Sequence, residues 1–440
     1  MLKNIPNEII KILNILEQNN YQAYLVGGCV RDLLLNKIPK DYDICTSAKP
    51  EEVKKIFAKV VSTGEKHGTV TVLINNYPIE VTTMRKDGIY KDNRHPEEIF
   101  YTNNLEEDLA RRDFTINSIA MDIKGNIYDY HNGLNDLNNK LIKAVRNPCD
   151  RFEEDALRMM RLIRFVCQLD FNIDYKTIEA VKNNNSLIQN ISIERTREEL
   201  NYILVSNKPS DGIRMLYQYG LLRYIIPELC ICVGFDQCNP FHNKDIFEHT
   251  MTVLENIPNN LILRLSALLH DISKPETFSL DENNIAHFYK HHIKGADLAE
   301  IILKRMKYDN ETINKVKNLI FYHMDRYENL SYAGVKRFIN RVGKENVYDL
   351  FELQIADRKG CKDLHFNDIL DLKNKVQEVL SRKEPLTIKN LSINGHDLIE
   401  LGIKPGKEMG LILNNLLELV IEEPRLNTKE QLINLAKDKG

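Results

Sequence analysis

Asp41 and Asp43 are separated by one residue in KDYDI, and on an extended strand that spacing turns both carboxylates to one face. Two carboxylates on one face supply oxygen ligands for a hard cation such as Mg²⁺. Glu80, between Ile79 and Val81 in a second apolar run, offers a third carboxylate. Three carboxylates suit phosphoryl transfer with two ions about 3.5–4 Å apart, which activate the attacking oxygen and neutralise the leaving one. Gly27 and Gly28 follow the apolar run AYLV and precede a helical stretch. There, backbone N–H groups approach a phosphate and the helix N-terminus adds partial positive charge. Taken singly, each feature has an ordinary explanation: an acidic pair is commonly a solvated turn, and Glu80 can be a strand-edge charge.

The combination is more specific. LARRDFTINSIAMD supplies Arg111, Arg112 and Asp113, and FEEDALRMMRLIRF supplies Asp155, Arg158, Arg161 and Arg164. The last three arginines recur every third residue and so share a broad helix face, with an acid one turn earlier. Leu157, Met160, Leu162, Ile163 and Phe165 form the opposite, buried face, which predicts arginines directed outward from a fixed support. An isolated face of this kind is often no more than a solvated ion-pair ladder.

The elements that must position these residues fall into two kinds. Residues up to about 130 mix β-like runs (AYLVGG, TVTVLI, PIEVTTM) with helical stretches. From about Leu137 helical periodicity takes over. The Gly, Pro and Asn cluster in ICVGFDQCNPFHNKD marks a boundary, and the last 75 or so residues read as amphipathic helices separated by turns. At 440 residues the chain exceeds what one hydrophobic core serves. The division this suggests is 1–136, 137–235, 236–365 and 366–440. With 43% hydrophobic and 28% charged residues, wholesale disorder is excluded; a net charge of −3 excludes global basicity, so nucleic-acid binding must rest on local patches. The first 20 residues read as an amphipathic helix rather than a secretory signal, and no segment approaches the roughly 20 apolar residues of a membrane span. Eight cysteines fit reduced thiols in a cytoplasmic protein. Cys230, Cys232 and Cys238 with His242 form a candidate metal cluster, but without paired C-x2-C spacing.

In order along the chain, five motifs resemble those of class II tRNA nucleotidyltransferases, the CCA-adding enzymes and their relatives in the DNA polymerase beta-like superfamily. They are Gly27-Gly28-Cys29-Val30-Arg31-Asp32, Asp41-Tyr42-Asp43, Arg111-Arg112-Asp113-Phe114-Thr115-Ile116-Asn117, Glu154-Asp155-Ala156-Leu157-Arg158 and Glu194-Arg195. The resemblance spans about residues 20 to 230. It implies an α+β protein: a small mixed-sheet nucleotidyltransferase head followed by an all-helical neck, body and tail. The implied activity is template-independent addition of C, C and A to the tRNA 3′ end from CTP and ATP, releasing pyrophosphate. By the same resemblance Asp41 and Asp43 bind Mg²⁺, with Glu80 as third carboxylate. Gly28, Arg31 and Arg112, with Asp113 and Asn117 of the same motif, bind the nucleotide, and Asp155, Arg158, Arg161 and Arg164 form its pocket.

Base selection of this kind has a physical basis. Cytosine and adenine each present an exocyclic amine beside an unprotonated ring nitrogen, so a carboxylate can accept from one while a guanidinium donates to the other. Asp155 and Arg158 fit that pair. Uracil and guanine reverse donor and acceptor, and buried polar groups left unpaired cost about 1–3 kcal/mol each, so discrimination of about 10²-fold is reasonable. GEKHGTVTVLINNYPIEVTTMR resembles the CCA-adding pattern, whereas poly(A) polymerases of this class carry a basic G-[RK]-[RK]-F segment where Lys66-His67-Gly68-Thr69 stands. The loop DGIYKDNRHPEEIF has the length that CC-adding members lack. Full CCA addition is favoured; an enzyme adding only the terminal A would keep the same motifs, and poly(A) addition is a further alternative.

The second half carries another ordered set: His249, His270-Asp271, His291 with His292, His323, and Asp357. One histidine on an apolar helix is ordinarily a core or surface residue. The order H…HD…H…H…D resembles the HD phosphohydrolase superfamily, over about residues 240 to 365. That resemblance implies His249, His270, Asp271 and Asp357 as ligands of one metal, with His291 and His323 available for a second. His287 and His292 are alternatives to His291, and Asp325 to Asp357. Imidazole and carboxylate ligands suit Mn²⁺, Fe²⁺, Co²⁺, Ni²⁺ or Zn²⁺, and a bound metal can activate water against a phosphoester. HD modules joined to nucleotidyltransferases also serve as helical scaffold. A rival reading makes the HD module the working phosphohydrolase and the head an RNA-binding platform; intact Asp41 and Asp43 argue against it. The expected partners are CTP, ATP and a tRNA held by phosphate contacts along the helical body, with no membrane and no particular oligomeric state implied.

Overall fold

The computed structural model describes residues 5–437 apart from 76, 89–97, 239–243, 326, 328 and 362–364. His242 and most of the loop DGIYKDNRHPEEIF therefore lie outside the described residues. The chain divides into two units, Met1–Pro227 and Glu228–Gly440.

In the first unit the short apolar runs pair into a seven-stranded sheet. Its early strands are β1 (Ala23–Val26), β2 (Asp43–Thr46), β3 (Val60–Gly64), β4 (Thr69–Ile74) and β5 (Tyr77–Thr83). A separate hairpin of β6 (Arg85–Asp87) and β7 (Ile99–Tyr101) precedes the last two, β8 (Ala120–Met121) and β9 (Ile127–Tyr128). The spatial order is β3-β4-β5-β2-β1-β8-β9; β2 and β5 run parallel and the other neighbours antiparallel, so the sheet is mixed.

Register decides what this sheet presents. Val26 pairs with both Asp43 and Ala120, and Asp43 pairs with Glu80. Residues in register project to the same face, so Asp43 and Glu80 share the side that also carries Val26, Cys45 and Met84 against the helix Leu105–Ala110. The opposite side, with Leu25, Ile44, Val81 and Met121, packs with the helix Asn7–Gln18. Ile9, Ile12, Leu13 and Leu16 of that helix recur at i, i+3, i+4 and i+7, the spacing of one apolar stripe. Full burial of such a side chain contributes about 1.5–3 kcal/mol, so the core that fixes the strands also fixes where the two carboxylates stand.

Beyond the sheet the first unit is mainly helical, with Pro148–Glu154, Leu157–Leu169, Tyr175–Asn184, Ile193–Leu204 and Pro209–Gln218. One short parallel pair, Leu141–Ile142 with Asn172–Ile173, lies in a stretch whose sequence reads as entirely helical. Strands of two residues are too short for a period-two pattern to show.

The second unit contains the helices Ile246–Asn256, Leu261–Leu269, His291–Arg305, Asn310–Tyr322, Tyr332–Val342 and Val347–Gly360. Several start at the residues their sequences nominate. The side chains of Asp245, Asn260 and Asp309 accept from backbone N–H groups of the first turn, satisfying donors that a helix start leaves unpaired. A small hairpin, Phe278–Leu280 with Ala286–Phe288, is the second exception to the all-helical expectation. Farther on, the helices Asn367–Ser381, Lys407–Glu422 and Lys429–Lys437 follow, the last two sharing a core of Leu416, Leu417, Val420, Leu432 and Ala436. Among the described residues no helix is long and apolar enough to cross a membrane.

Candidate functional site

β1 ends at Val26 and the chain turns at Gly27, whose φ of +76° is a conformation that side chains disfavour. A Cβ on Gly27 would stand 2.9 Å from Arg112 Nη1 and 3.8 Å from Asp43 Oδ2. A guanidinium and a carboxylate thus both stand close to this turn. Gly28 opens the next helix, and Arg31 in its first turn donates through Nη1 to Asn117 Oδ1 at 2.8 Å. Asn117 Nδ2 donates in turn to Asp113 Oδ1 at 3.0 Å, and Arg161 Nε donates to Asp113 Oδ2 at 2.9 Å. Burial alone would raise the Asp113 pKa. The Arg161 charge and the hydrogen bonds from Asn117, Arg161 and the Phe114 N–H outweigh it and hold the carboxyl well below the usual range.

Arg111 and Arg112 rest on a residue that sequence reasoning passes over. Asp108, fully buried, accepts from Arg111 Nε at 2.9 Å and Nη2 at 2.8 Å, and from Arg112 Nη2 at 3.4 Å. Its only local signal is its place three and four residues before the two arginines on one helix face.

The carboxylates of the sheet are electrostatically uncomfortable. Asp43 is exposed by area, yet loss of hydration is the largest cause raising its pKa, with Asp41 adding to it and Arg112 opposing. Glu80 is raised first by lost hydration and then by Asp43 and Asp41. Oxygen donors whose charges repel one another are of the kind a hard divalent cation relieves, but among the described residues the three carboxylates do not form a group whose ligand atoms all lie within 4.8 Å of one another.

The arginine series differs from the outward ladder its spacing predicts. Asp155 lies between the helices Pro148–Glu154 and Leu157–Leu169 with φ −142° and ψ 101°, off the helix that carries the arginines. Its Oδ2 accepts from Arg195 Nη2 at 2.9 Å. Arg158 is buried and donates to Glu154 Oε2 at 2.8 Å, Arg151 O at 3.0 Å and Arg111 O at 2.9 Å. Arg164 pairs with Glu199 at 2.8 Å and lies 4.5 Å from the Phe165 ring centroid. Arg161 and Arg31 approach the same ring at 5.4 and 5.2 Å. The series is drawn inward because buried acids and an aromatic face await it, which the three-residue spacing does not report. Asp155, Arg158, Arg161 and Arg164, with Gly27, Gly28, Asp41, Asp43 and Arg112, line one cavity of about 1070 Å³; Glu80, paired with Asp43 in the sheet, is not part of that lining.

In the second unit His249, His270, Asp271, His291, His323 and Asp357 converge. His249 Nε2 lies 3.1 Å from Asp357 Oδ1, and His270 Nε2 lies 3.1 Å from Asp271 Oδ2. On the other oxygen of Asp271, His291 Nε2 lies at 3.4 Å and His323 Nε2 at 3.9 Å. Asp271 thus stands between two pairs of imidazoles, and all six side chains are buried. Three rings are oriented by backbone. Nδ1 of His270, His291 and His323 lies 2.8, 2.8 and 2.6 Å from the carbonyls of Ala267, Phe288 and Ile320. A carbonyl only accepts, so each Nδ1 carries a proton and each Nε2 is turned toward the cluster. Burial opposes protonation of His270, but the Asp271 charge and hydrogen bond outweigh it and raise its pKa. Burial, then the neighbouring His270 and His291, pushes His323 down to about 3, and burial lowers His291, so both are the neutral imidazoles that ligate metals. Lys274 Nζ, 2.7 Å from Asp271 Oδ2, is a charge the sequence did not single out. Of the alternatives, His287 pairs with Asp281 at 3.0 Å, Asp325 accepts from the Tyr327 hydroxyl at 2.8 Å, and the His292 ring lies 6.1 Å from that of Phe321.

Three family models match successive parts of the chain. The family model of the poly A polymerase head domain matches residues 23–143, that of the RNA and SrmB-binding site of polymerase A matches 170–232, and that of tRNA nucleotidyltransferase domain 2 matches 280–436. The CCA-adding enzyme of Ligilactobacillus salivarius is 37% identical over 99% of this chain and 98% of its own length. That of Lactobacillus helveticus is 35% identical over 99% and 98%. The crystal structure of the Bacillus stearothermophilus CCA-adding enzyme in complex with CTP superposes with a TM-score of 0.77 at 27% identity, covering 98% of this chain and 96% of that one.

Proposed function

The chain belongs to the CCA-adding enzymes, nucleotidyltransferases that build the CCA end of tRNA, and we propose which of its side chains carry that reaction from CTP and ATP. Asp41 and Asp43 hold Mg²⁺, with Glu80 beside Asp43 in the parallel pair adding to the negative field. Such an ion, when bound, polarises phosphoryl oxygens and offsets the charge of a departing pyrophosphate. Arg112, braced by Asp108 and seated over Gly27, supplies a fixed positive charge for the triphosphate. Arg31 does so from the first turn of its helix, oriented by Asn117.

Asp155 and Arg158 read the Watson–Crick edges of cytosine and adenine. Each is steadied by a partner without being used up. Three of the five Arg158 N–H donors are engaged with Glu154, Arg151 and Arg111, and a carboxylate such as Asp155 retains acceptor sites beyond its bonds to Arg195 and the Leu157 N–H. Arg161, tied to Asp113, and Arg164, tied to Glu199, close the pocket. The single observation that supports this reading is the register Val26–Asp43–Glu80, in which the strand leading to the glycine turn, the strand opening at Asp43 and the strand of Glu80 are neighbours. Asp43→Ala is expected to abolish incorporation of both nucleotides while leaving tRNA binding in a gel-shift assay unchanged; incorporation at the wild-type rate would overturn the assignment. A head, neck-and-body, HD module and tail divided near residues 136, 235 and 365, working in the cytoplasm, complete the proposal.

A second reading concerns the histidine cluster. His249, His270, Asp271 and Asp357 hold one transition-metal ion and His291 and His323, sharing Asp271, a second, in a site suited to phosphoester hydrolysis. The supporting observation is the backbone anchoring of three Nδ1 atoms, which turns the Nε2 atoms toward Asp271 and its neighbours. The protein is expected to retain Mn, Fe, Co, Ni or Zn through purification, and His270→Ala to lose it; equal metal content in both would overturn the reading.

A further inference from the structure

We propose that Cys361 is a thiolate ligand of the histidine cluster, so that one of its two positions is a mixed nitrogen, oxygen and sulfur site. The inference rests on the reading of that cluster as a metal centre and adds a ligand to which the H…HD…H…H…D pattern assigns no place.

Three observations carry it. The ligand atoms of His249, Asp357 and Cys361 lie within 4.8 Å of one another, as do those of the set His249, His270 and Asp271 and of the set Asp271, His291 and His323. Asp357 and Cys361 are four residues apart at the end of the helix Val347–Gly360, one turn, and the Cys361 thiol donates to the Asp357 carbonyl oxygen at 3.5 Å, which keeps the protonated sulfur on that turn; ligation as thiolate gives up this bond together with the proton. Finally, the residue between them and the histidine is a glycine that has to be one. A Cβ on Gly360 would stand 2.7 Å from His249 Cε1 and 2.8 Å from His249 Nδ1. The helix end is thus pressed directly onto the imidazole, and that contact holds Cys361 beside His249.

The chemical consequence is selectivity. Imidazole and carboxylate alone accommodate Mn²⁺ as readily as its later neighbours allow, whereas a thiolate favours Zn²⁺, Co²⁺ and Fe²⁺. Ligation displaces the thiol proton to solvent, leaving the sulfur lone pair on the metal.

The test uses the full-length protein loaded with Co²⁺, whose visible d–d bands report the site and whose near-ultraviolet sulfur-to-cobalt charge-transfer band reports the thiolate. Wild type is expected to show both. Cys361→Ser is expected to keep the d–d absorption and the bound Co²⁺, to lose the charge-transfer band, and to lose at least about tenfold in preference for Zn²⁺ over Mn²⁺. Intense d–d bands in wild type without the charge-transfer band, or a charge-transfer band that survives Cys361→Ser, would overturn the inference while leaving the metal centre standing. Identical Co²⁺ spectra for wild type and His270→Ala would instead remove the metal centre itself.

Discussion

Arg161 donates from Nε to Asp113 Oδ2 at 2.9 Å, joining the helix Leu157–Leu169 to the motif that carries Arg111 and Arg112 across 48 residues of chain. Through Asn117 the same carboxylate reaches Arg31. One buried acid therefore holds together the residues assigned to the triphosphate and those assigned to the base. Asp113→Ala takes from Arg161 its nearest counter-charge; because that side chain is 34% exposed and Glu199 and Asp155 also act on it, the loss of stability is expected to fall below the value of about 3–5 kcal/mol for breaking a fully buried pair. We expect that loss in the urea unfolding of the first unit, together with reduced incorporation of C and A alike; unchanged stability would show that Asp113 does not brace the pocket.

The same pair has a pH signature. Asp113 is held below the ordinary carboxyl value of 3.8, so it contributes stability that is complete above that value and is lost as the pH falls through the lower value it has in the folded protein. The melting-temperature difference between wild type and Asp113→Asn is expected to be constant from neutral pH down to about 4 and to shrink below it. A difference that instead grew on acidification would contradict the assignment.

Gly27→Ala tests the turn. The substitution forces a side chain into a conformation, φ +76° with ψ −136°, that costs a non-glycine residue about 1–3 kcal/mol, and sets its Cβ against Arg112 Nη1. Nucleotide addition is expected to fall by about two orders of magnitude, well beyond the small loss of stability, because Arg112 and Asp43 are displaced from the reacting phosphates. Steady-state kinetics beside a circular-dichroism melt separates the two effects. Wild-type kinetics in a fully folded variant would mean that the turn has no part in catalysis.

Asp155→Asn tests base reading. An amide can donate as well as accept, so it tolerates the carbonyl of uracil where a carboxylate repels it. The ratio of UTP to CTP incorporation is expected to rise by about 10²-fold, in proportion to an unpaired buried group regaining a partner. If all four nucleotides lose rate equally, Asp155 positions the pocket without selecting the base.

Much of this site is legible in sequence, and what is hidden has a common cause. The acidic pair, the glycine turn and the two arginine motifs are local, and their spacing alone indicates a strand, a turn and a helix. Glu80 becomes interpretable once β2 and β5 are known to pair, and the ordered histidines, far apart in sequence, do meet around Asp271. What escapes is burial and partnership at long range. The arginines at every third position turn inward because Asp113, Glu199 and Phe165 await them, and no pattern within one helix reveals those neighbours. Asp108 looks like one more surface acid of LEEDLA and is fully buried under two guanidinium groups. Cys361 is one of eight cysteines and belongs to no motif read from sequence; its nearness to His249 and Asp357 shows only in three dimensions.

The most direct test of the central claim offers purified protein, with Mg²⁺ and each labelled nucleoside triphosphate, three tRNA transcripts ending at the discriminator base, at C and at CC, with Asp43→Ala in parallel. The expected result is C, C and A on the first transcript, C and A on the second and A on the third, then arrest, with no incorporation by the variant. Addition of A to the CC-ending transcript alone, unbounded addition of A, or no incorporation by wild type would contradict it.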